Sequence, residues 1–177
     1  DNVSIIGLRY FNVYGEGQTG SYAGVITKFL NRLKEKKSPI IFGTGTQIRD
    51  FIFVEDTCRI IRTMVEENVN LASTGHVINL GTGSSISVNE IATKVLAKLP
   101  GATSSVRNIE DRPAQVLRHT ASQQRLGEIY DLKLLTDFSH GLDLTIEWYK
   151  NNERWWRKRW DSREIEITIQ DGKKVLH

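Results

Sequence analysis

Two arginines have neighbours that suit them to hold a phosphate group. Arg49 follows the glycine-bearing turn Gly43-Thr44-Gly45 and opens a short apolar run, which aims its side chain from a fixed element. Arg112 precedes Pro113, and a residue before proline is biased to extended backbone. A guanidinium is planar, permanently charged and forked, so it meets phosphate oxygens in two-point contact. Two of them together suit a diphosphate. The plainer reading is that each is solvated or paired with its acidic neighbour, Asp50 or Asp111. Asn12 follows an apolar run, where an asparagine either turns the chain or offers its amide to a ligand.

Other chemistries find less support. Gly15-Glu16-Gly17-Gln18-Thr19-Gly20 has the spacing of a dinucleotide phosphate loop. Such a loop begins where its strand ends, so that the next helix meets the pyrophosphate. Here Asn12, Val13 and Tyr14 intervene, and the following strand ends in Gly-Thr rather than in an acid for a ribose. A plain glycine-rich loop is the better reading. The four histidines, His76, His119, His140 and His177, make no metal-ligand spacing with one another or with Cys58. Trp148, Trp155, Trp156 and Trp160 lie among Arg154, Arg157, Lys158 and Arg159, a composition that bases and phosphates could meet. Their spacing argues instead for one helical face that docks on the body, with cations at the helix C-terminus, so no nucleic-acid partner is expected.

Bulk properties narrow the class. A chain of 177 residues with 39% apolar and 25% charged residues can bury a core. The net charge of +3 is mild and concentrated near Arg154–Arg159; it suits an anionic ligand without demanding one. One cysteine cannot staple the chain internally, which favours an intracellular, cytoplasmic protein. No apolar run approaches membrane-spanning length, no signal peptide opens the chain, and Asp1 in place of Met fits a fragment or a processed chain.

The elements that must position these residues alternate. Val3–Tyr10 predicts a buried strand, and Phe11–Ser21 a loop. Ala23–Lys36 predicts a helix with Val25, Ile26, Phe29, Leu30 and Leu33 on one stripe. Strands follow at Ile40–Phe42 and Asp50–Val54. Asp56 is placed to cap a helix running to about Glu67. Val77–Leu80 is a strand closed by Gly81-Thr82-Gly83, and Ser87 with Glu90 forms a capping box for a helix to Leu99. Ser105–Ile109 is extended, and Ala121–Ile129 and Gly141–Trp156 are helical. Ile165–Gln170 and Lys173–Leu176, around the turn signal Asp171-Gly172, predict a hairpin. The class is α/β.

Six segments, in this order and at this spacing, carry a resemblance. They are Leu8–Gly15, Ile40–Gly45, Arg49–Asp56, Asn79–Gly83, Arg112-Pro113, and Gly141-Leu142 with Thr145–Tyr149. Together they resemble the extended short-chain dehydrogenase/reductase family, in its UDP-glucose 4-epimerase and dTDP-glucose 4,6-dehydratase branch. The resemblance runs from about Val3 to Trp156. It implies the last strands of a Rossmann-like parallel sheet plus the smaller α/β substrate-binding domain, over residues 1–160, with 161–177 as a hairpin-like extension of no assigned role.

The resemblance also implies roles. Tyr10 and Phe11 would lie near the nicotinamide of NAD. Asn12 would bond a substrate phosphate, Val25 would sit beside the nucleotide, and Ile40 and Phe42 would hold the base. Arg49 and Arg112 would grip the diphosphate of a nucleotide-diphosphate sugar from two sides. Asp56 is expected as a helix cap rather than a catalytic acid. The family commonly reads Arg-Pro-Gly-Asp where this chain has Arg112-Pro113-Ala114-Gln115, so Gln115 would meet the ribose without charge. His119 falls where the epimerases often carry an aromatic.

The family's chemistry uses a tyrosine base with a lysine four residues later. Behind Tyr10, Tyr14, Tyr22, Tyr130 and Tyr149 at that spacing stand Tyr14, Gln18, Ile26, Leu134 and Glu153. No catalytic residue is therefore expected in this chain, no metal is called for, and the N-terminal half with the cofactor loop is expected to be missing. The intact protein would be an NAD-dependent 4-epimerase, most often a homodimer in this family. The alternatives are a 4,6-dehydratase, or a non-catalytic sugar-nucleotide-binding subunit that complements a separate N-terminal chain.

Overall fold

The computed structural model describes residues 5–18, 24–66, 76–99, 105–158, 166–168 and 174–176. The chain opens with strand β1 (Ile6–Tyr10), and β2 (Asn12–Tyr14) follows after a single residue. Phe11 is where the chain changes neighbour: its N–H donates to the Leu80 carbonyl, and the next N–H, from Asn12, donates to the Asp50 carbonyl. The segment expected to be loop from Phe11 therefore contains a strand. Its apolar Val13 and Tyr14 were masked in the sequence by the glycines behind them. The opening strand is not buried as expected: Ile6 to Leu8 are half-buried, and Arg9 and Tyr10 are exposed.

Helix α1 (Val25–Lys34) forms because Ile26, Phe29, Leu30 and Leu33 fall on one stripe, and all four are buried. Arg32 and Lys34 sit in its last turn, where cations meet the free carbonyls. Strand β3 (Ile40–Phe42), wholly buried, comes next, then the two-residue β4 (Ile48–Arg49) and β5 (Phe51–Phe53). Arg49 thus closes one strand rather than opening the next.

Helix α2 (Val54–Glu66) starts two residues before the expected cap, so Asp56 lies inside its first turn. The Asp56 carboxylate does not cap α2. It is fully buried, accepts from the backbone N–H and hydroxyl of Thr136 at 2.8 and 2.9 Å, and pairs with Arg59. Its partner lies 80 residues away, which no local pattern reveals.

Strands β6 (His76–Leu80) and β7 (Ile86–Ser87) lead into helix α3 (Val88–Ala97). The capping box forms as expected, with the Ser87 hydroxyl accepting from the Glu90 N–H and the Glu90 carboxylate accepting from the Ser87 N–H. After β8 (Arg107–Ile109) and β9 (Arg118–His119), only Gln124–Gly127 of the expected 121–129 helix is helical, as α4. Helix α5 (Phe138–Asn151) begins earlier than expected, because the Asp137 carboxylate accepts from the Ser139 and His140 N–H groups. It breaks at Asn152, and a short α6 (Glu153–Arg157) carries Trp155 and Trp156. Strands β10 (Glu166–Thr168) and β11 (Lys174–Leu176) pair antiparallel, as the hairpin reading expected; their turn, like Trp160, lies outside the described residues.

Pairings β1–β6, β2–β5 and β3–β8 are parallel, the arrangement expected of an α/β fold. β5 divides the interior. Phe51 and Phe53 face a core with Phe29, Leu30, Ile91, Val95, Leu142 and Tyr149. Ile52, between them, faces a second core with Ile60, Met64, Ile78, Leu80 and Leu126. The alternation of a strand accounts for this split. Trp156 is buried in the first core and donates its ring N–H to the Tyr149 carbonyl at 2.9 Å, which docks α6 on the body.

Asp50, between β4 and β5, joins three segments. Its carboxylate is fully buried and accepts from Thr82 N–H (2.8 Å), Thr82 hydroxyl (2.8 Å), Gly83 N–H (2.9 Å) and Ala121 N–H (3.0 Å). Gly81 must be glycine for this: a Cβ there would stand 2.8 Å from an Asp50 carboxylate oxygen. Gly83 has φ +68°, which glycine adopts without strain. Asp50→Ala leaves three backbone N–H groups without a partner and is expected to lower unfolding free energy by roughly 3–5 kcal/mol. Denaturant titration checks this; a loss under about 1 kcal/mol contradicts the role given to Asp50.

Candidate functional site

A cleft of about 490 Å³ opens between α1, β3 and the β4–β5 corner. Its lining includes the apolar Val25, Phe29, Ile40 and Phe42, together with Phe11, Asn12, Arg49, Arg112 and Gln115. Eight of the nine residues picked out in the sequence therefore meet in one place. Tyr10 does not. It ends β1 with its side chain 53% exposed and lies outside the cleft that its neighbour Phe11 lines. Adjacent residues of an extended chain point to opposite sides.

Local structure explains each placement. Phe11 is held by His119, whose ring lies 4.5 Å away at a 31° tilt. The Asn12 side-chain amide donates to the Asp50 carbonyl at 2.8 Å, which keeps a second amide hydrogen available. Gln47 is buried and donates to the Phe42 carbonyl at 3.1 Å, fixing the end of β3. Arg49 donates to the Ile48 carbonyl at 2.8 Å. Arg112 lays its guanidinium over the Phe42 ring, 3.8 Å from the centroid, a contact worth about 0.5–2 kcal/mol.

No ion pair among the described residues joins Arg49 to Asp50 or Arg112 to Asp111. The Asp50 carboxylate is held by the groups named above, and Asp111 accepts from the Arg112 backbone N–H at 2.8 Å. The Arg112 Nε is buried with no hydrogen-bond partner. Both guanidinia are pushed below their ordinary pKa, first by burial; for Arg112, Asp111 opposes this and Arg49 adds to it.

A third cation went unnoticed in the sequence. Lys28 lines the same cleft, and its ammonium is pushed down by burial and then by the charge of Arg112. The signal that finds it is spacing: Lys28 stands three positions after Val25 on the same helix, and residues so spaced share a face. Gln18 also lines the cleft, accepting from the Thr27 hydroxyl at 2.9 Å and donating to the Val13 carbonyl at 3.2 Å. Among the described residues that line the cleft there is no carboxylate. Three cations in one cleft with apolar side chains suit an anion of at least two charges attached to a flat ring. Among the described residues, no group of His, Cys, Asp and Glu could hold a metal ion, and no helix is long and apolar enough to cross a membrane.

Comparison with known proteins gives the family. The profile of the NAD dependent epimerase/dehydratase family matches residues 1–81. A Methanocaldococcus jannaschii protein provisionally named a UDP-glucose 4-epimerase is 32% identical over 148 residues, covering 83% of this chain and 46% of that protein. The chain belongs to that family. The dTDP-D-glucose 4,6-dehydratase of Bos taurus is 27% identical over 159 residues, covering 86% of this chain and 43% of the enzyme. The crystal structure of a UDP-glucose 4-epimerase with UDP-glucose, from Thermotoga maritima, superposes with a TM-score of 0.72 at 26% identity, covering 84% of this chain and 46% of that one. The chain spans about half the length of the curated relatives it matches.

Burial of Lys28 has a consequence for stability. Its pKa in the fold is lower than in the unfolded chain, so the unfolded chain holds more protons between the two values and stability rises with pH there. The rise lies in the alkaline range below 10.5. Lys28→Met is expected to melt higher than wild type at pH 7 and to lose this rise, as read by thermal scans at several pH values; a wild-type curve that the substitution leaves unchanged contradicts it.

Proposed function

We propose that this chain is the nucleotide-sugar-binding part of an NAD-dependent sugar-nucleotide 4-epimerase. The observation that carries the reading is the meeting of Arg49, Arg112 and Asn12 in one cleft with no carboxylate among its described lining residues. In this reading both guanidinia hold the diphosphate, Asn12 adds an amide hydrogen, and Gln115 takes the ribose. Val25, Ile40 and Phe42 hold the base. The intact protein is an enzyme of carbohydrate metabolism in the cytoplasm, acting at C4 of a nucleotide-linked hexose and working as a homodimer. Residues 1–160 form the part that shares the family's architecture, and 161–177 are a hairpin-like extension with no assigned role.

NAD supplies the hydride chemistry when bound. Toward it this chain offers Phe11, a residue of the cleft lining whose ring packs on His119. Tyr10 is the less fitting candidate, since it lies outside that cleft. No tyrosine here has a lysine four residues on, so the proton-transferring pair comes from elsewhere, in the same polypeptide or in a complementing partner chain.

Similarity to the Bos taurus dehydratase favours a second reading, a dTDP-glucose 4,6-dehydratase with the same cleft. Calorimetry with UDP and dTDP separates the two by which nucleotide binds more tightly. In either case Arg49→Ala and Arg112→Ala are each expected to weaken the diphosphate about tenfold or more. Unchanged affinity in both variants contradicts the reading. The purified 177-residue chain is expected to show no epimerase turnover with UDP-glucose; measurable turnover overturns the placement of the acid–base pair outside it.

A further inference from the structure

Gln18 lines the cleft, and its side-chain amide is held at both ends. The Val13 carbonyl can only accept, so the amide nitrogen faces it, donating at 3.2 Å. The amide oxygen therefore faces Thr27, whose hydroxyl donates to it at 2.9 Å. The backbone is anchored as well, since the Tyr149 hydroxyl donates to the Gln18 carbonyl. Thr27 and Tyr149 are both buried. Gly24, another lining residue, adjoins the amide: a Cβ there would stand 3.3 Å from the Gln18 Oε1 and 3.6 Å from its Nε2. The bonds to Val13 and Thr27 use one amide hydrogen and one lone pair of the oxygen. One donor and one acceptor remain, side by side and in a fixed orientation.

We infer that the Gln18 carboxamide is a further ligand-binding residue of this cleft, which takes hydroxyls of the hexose and so contributes to sugar selectivity. The inference rests on the proposed nucleotide-sugar reading and adds to it a residue that reads the sugar. A phosphate oxygen is met by an amide N–H but repelled by the amide oxygen, so the guanidinia suit it better. A hydroxyl both donates and accepts, and two neighbouring hydroxyls of a hexose ring meet the donor and the acceptor together. The anchoring sharpens the choice. An amide that turns at will exchanges its two ends to suit the ligand, whereas this one loses its bonds to Val13 and Thr27 by turning. A site built to hydrogen-bond a hydroxyl discriminates against a ligand that lacks it, because its polar groups are then left unpaired.

Calorimetry of UDP and UDP-glucose with the 177-residue chain tests this. The two probes share base, ribose and diphosphate, so only the hexose differs. Gln18→Met keeps the reach of the side chain and removes its donor and acceptor. It is expected to weaken UDP-glucose about three- to tenfold and to leave UDP within about twofold of wild type. Thr27→Val, which releases the oxygen end of the amide, is expected to weaken UDP-glucose in the same selective way, and Thr27→Ser, which keeps the hydroxyl, to bind as wild type does. Equal losses of UDP and UDP-glucose in Gln18→Met overturn the inference, since they give the residue a structural role or one toward the nucleotide. Both affinities unchanged in Gln18→Met, with UDP still weakened in Arg49→Ala, also overturn it and leave the nucleotide-sugar reading standing. Failure of UDP to bind the wild-type chain overturns both.

Discussion

The buried carboxylate of Asp50 is the constraint on which the rest of the site depends. It lies between two short strands and gathers Thr82, Gly83 and Ala121 from segments 32 to 71 residues away. Its own backbone is bound as well: its N–H donates to the His119 carbonyl, and its carbonyl accepts from Asn12. One residue therefore fixes the corner from which Arg49 projects, the strand end that carries Phe11 and Asn12, and the segment that presents His119. A polar group with no exposure is tolerated because its oxygens meet four donors; burial is costly when such a group is left unbonded. Gly81 and Gly83 are the backbone price of that close approach.

The cleft makes the opposite use of charge. Arg49, Arg112 and Lys28 are partly desolvated, and the described lining residues include no carboxylate. Local contacts hold down the cost of this desolvation, the Phe42 ring for Arg112 and the Ile48 carbonyl for Arg49. An anion entering this space meets donors already oriented, with little side-chain freedom left to lose. The same arrangement explains why the cations are split among α1, the β4–β5 corner and the loop after β8. Three like charges on one element would repel at close range, whereas three elements packed by an apolar core hold them on separate stretches of backbone.

That core is organised by β5. Its alternation sends Phe51 and Phe53 to one side and Ile52 to the other, so the cleft side and the β1–β6 side are packed against the same strand. Helix α5 closes the first side through Leu142, Ile146 and Tyr149. Tyr149 reaches farther, its hydroxyl donating to the Gln18 carbonyl and so tying the last long helix to the rim of the cleft.

Much was legible in the sequence because it is local. The stripe of Ile26, Phe29, Leu30 and Leu33, the Ser87–Glu90 capping box and the apolar run Ile40–Phe42 depend on neighbours within a turn or two, and each formed where spacing placed it. The family resemblance was legible as well, because it rests on residue types in register. What spacing could not supply was decided by contacts across the fold. Asp56 looked like a cap and instead bonds Thr136; Tyr10 and Phe11 looked like one pair, and the cleft takes only Phe11; Lys28 drew no attention along the chain, and the fold brings it into one cleft with Arg112. A side chain's environment is set by what lies opposite it in space, and a sequence records only what lies beside it along the chain.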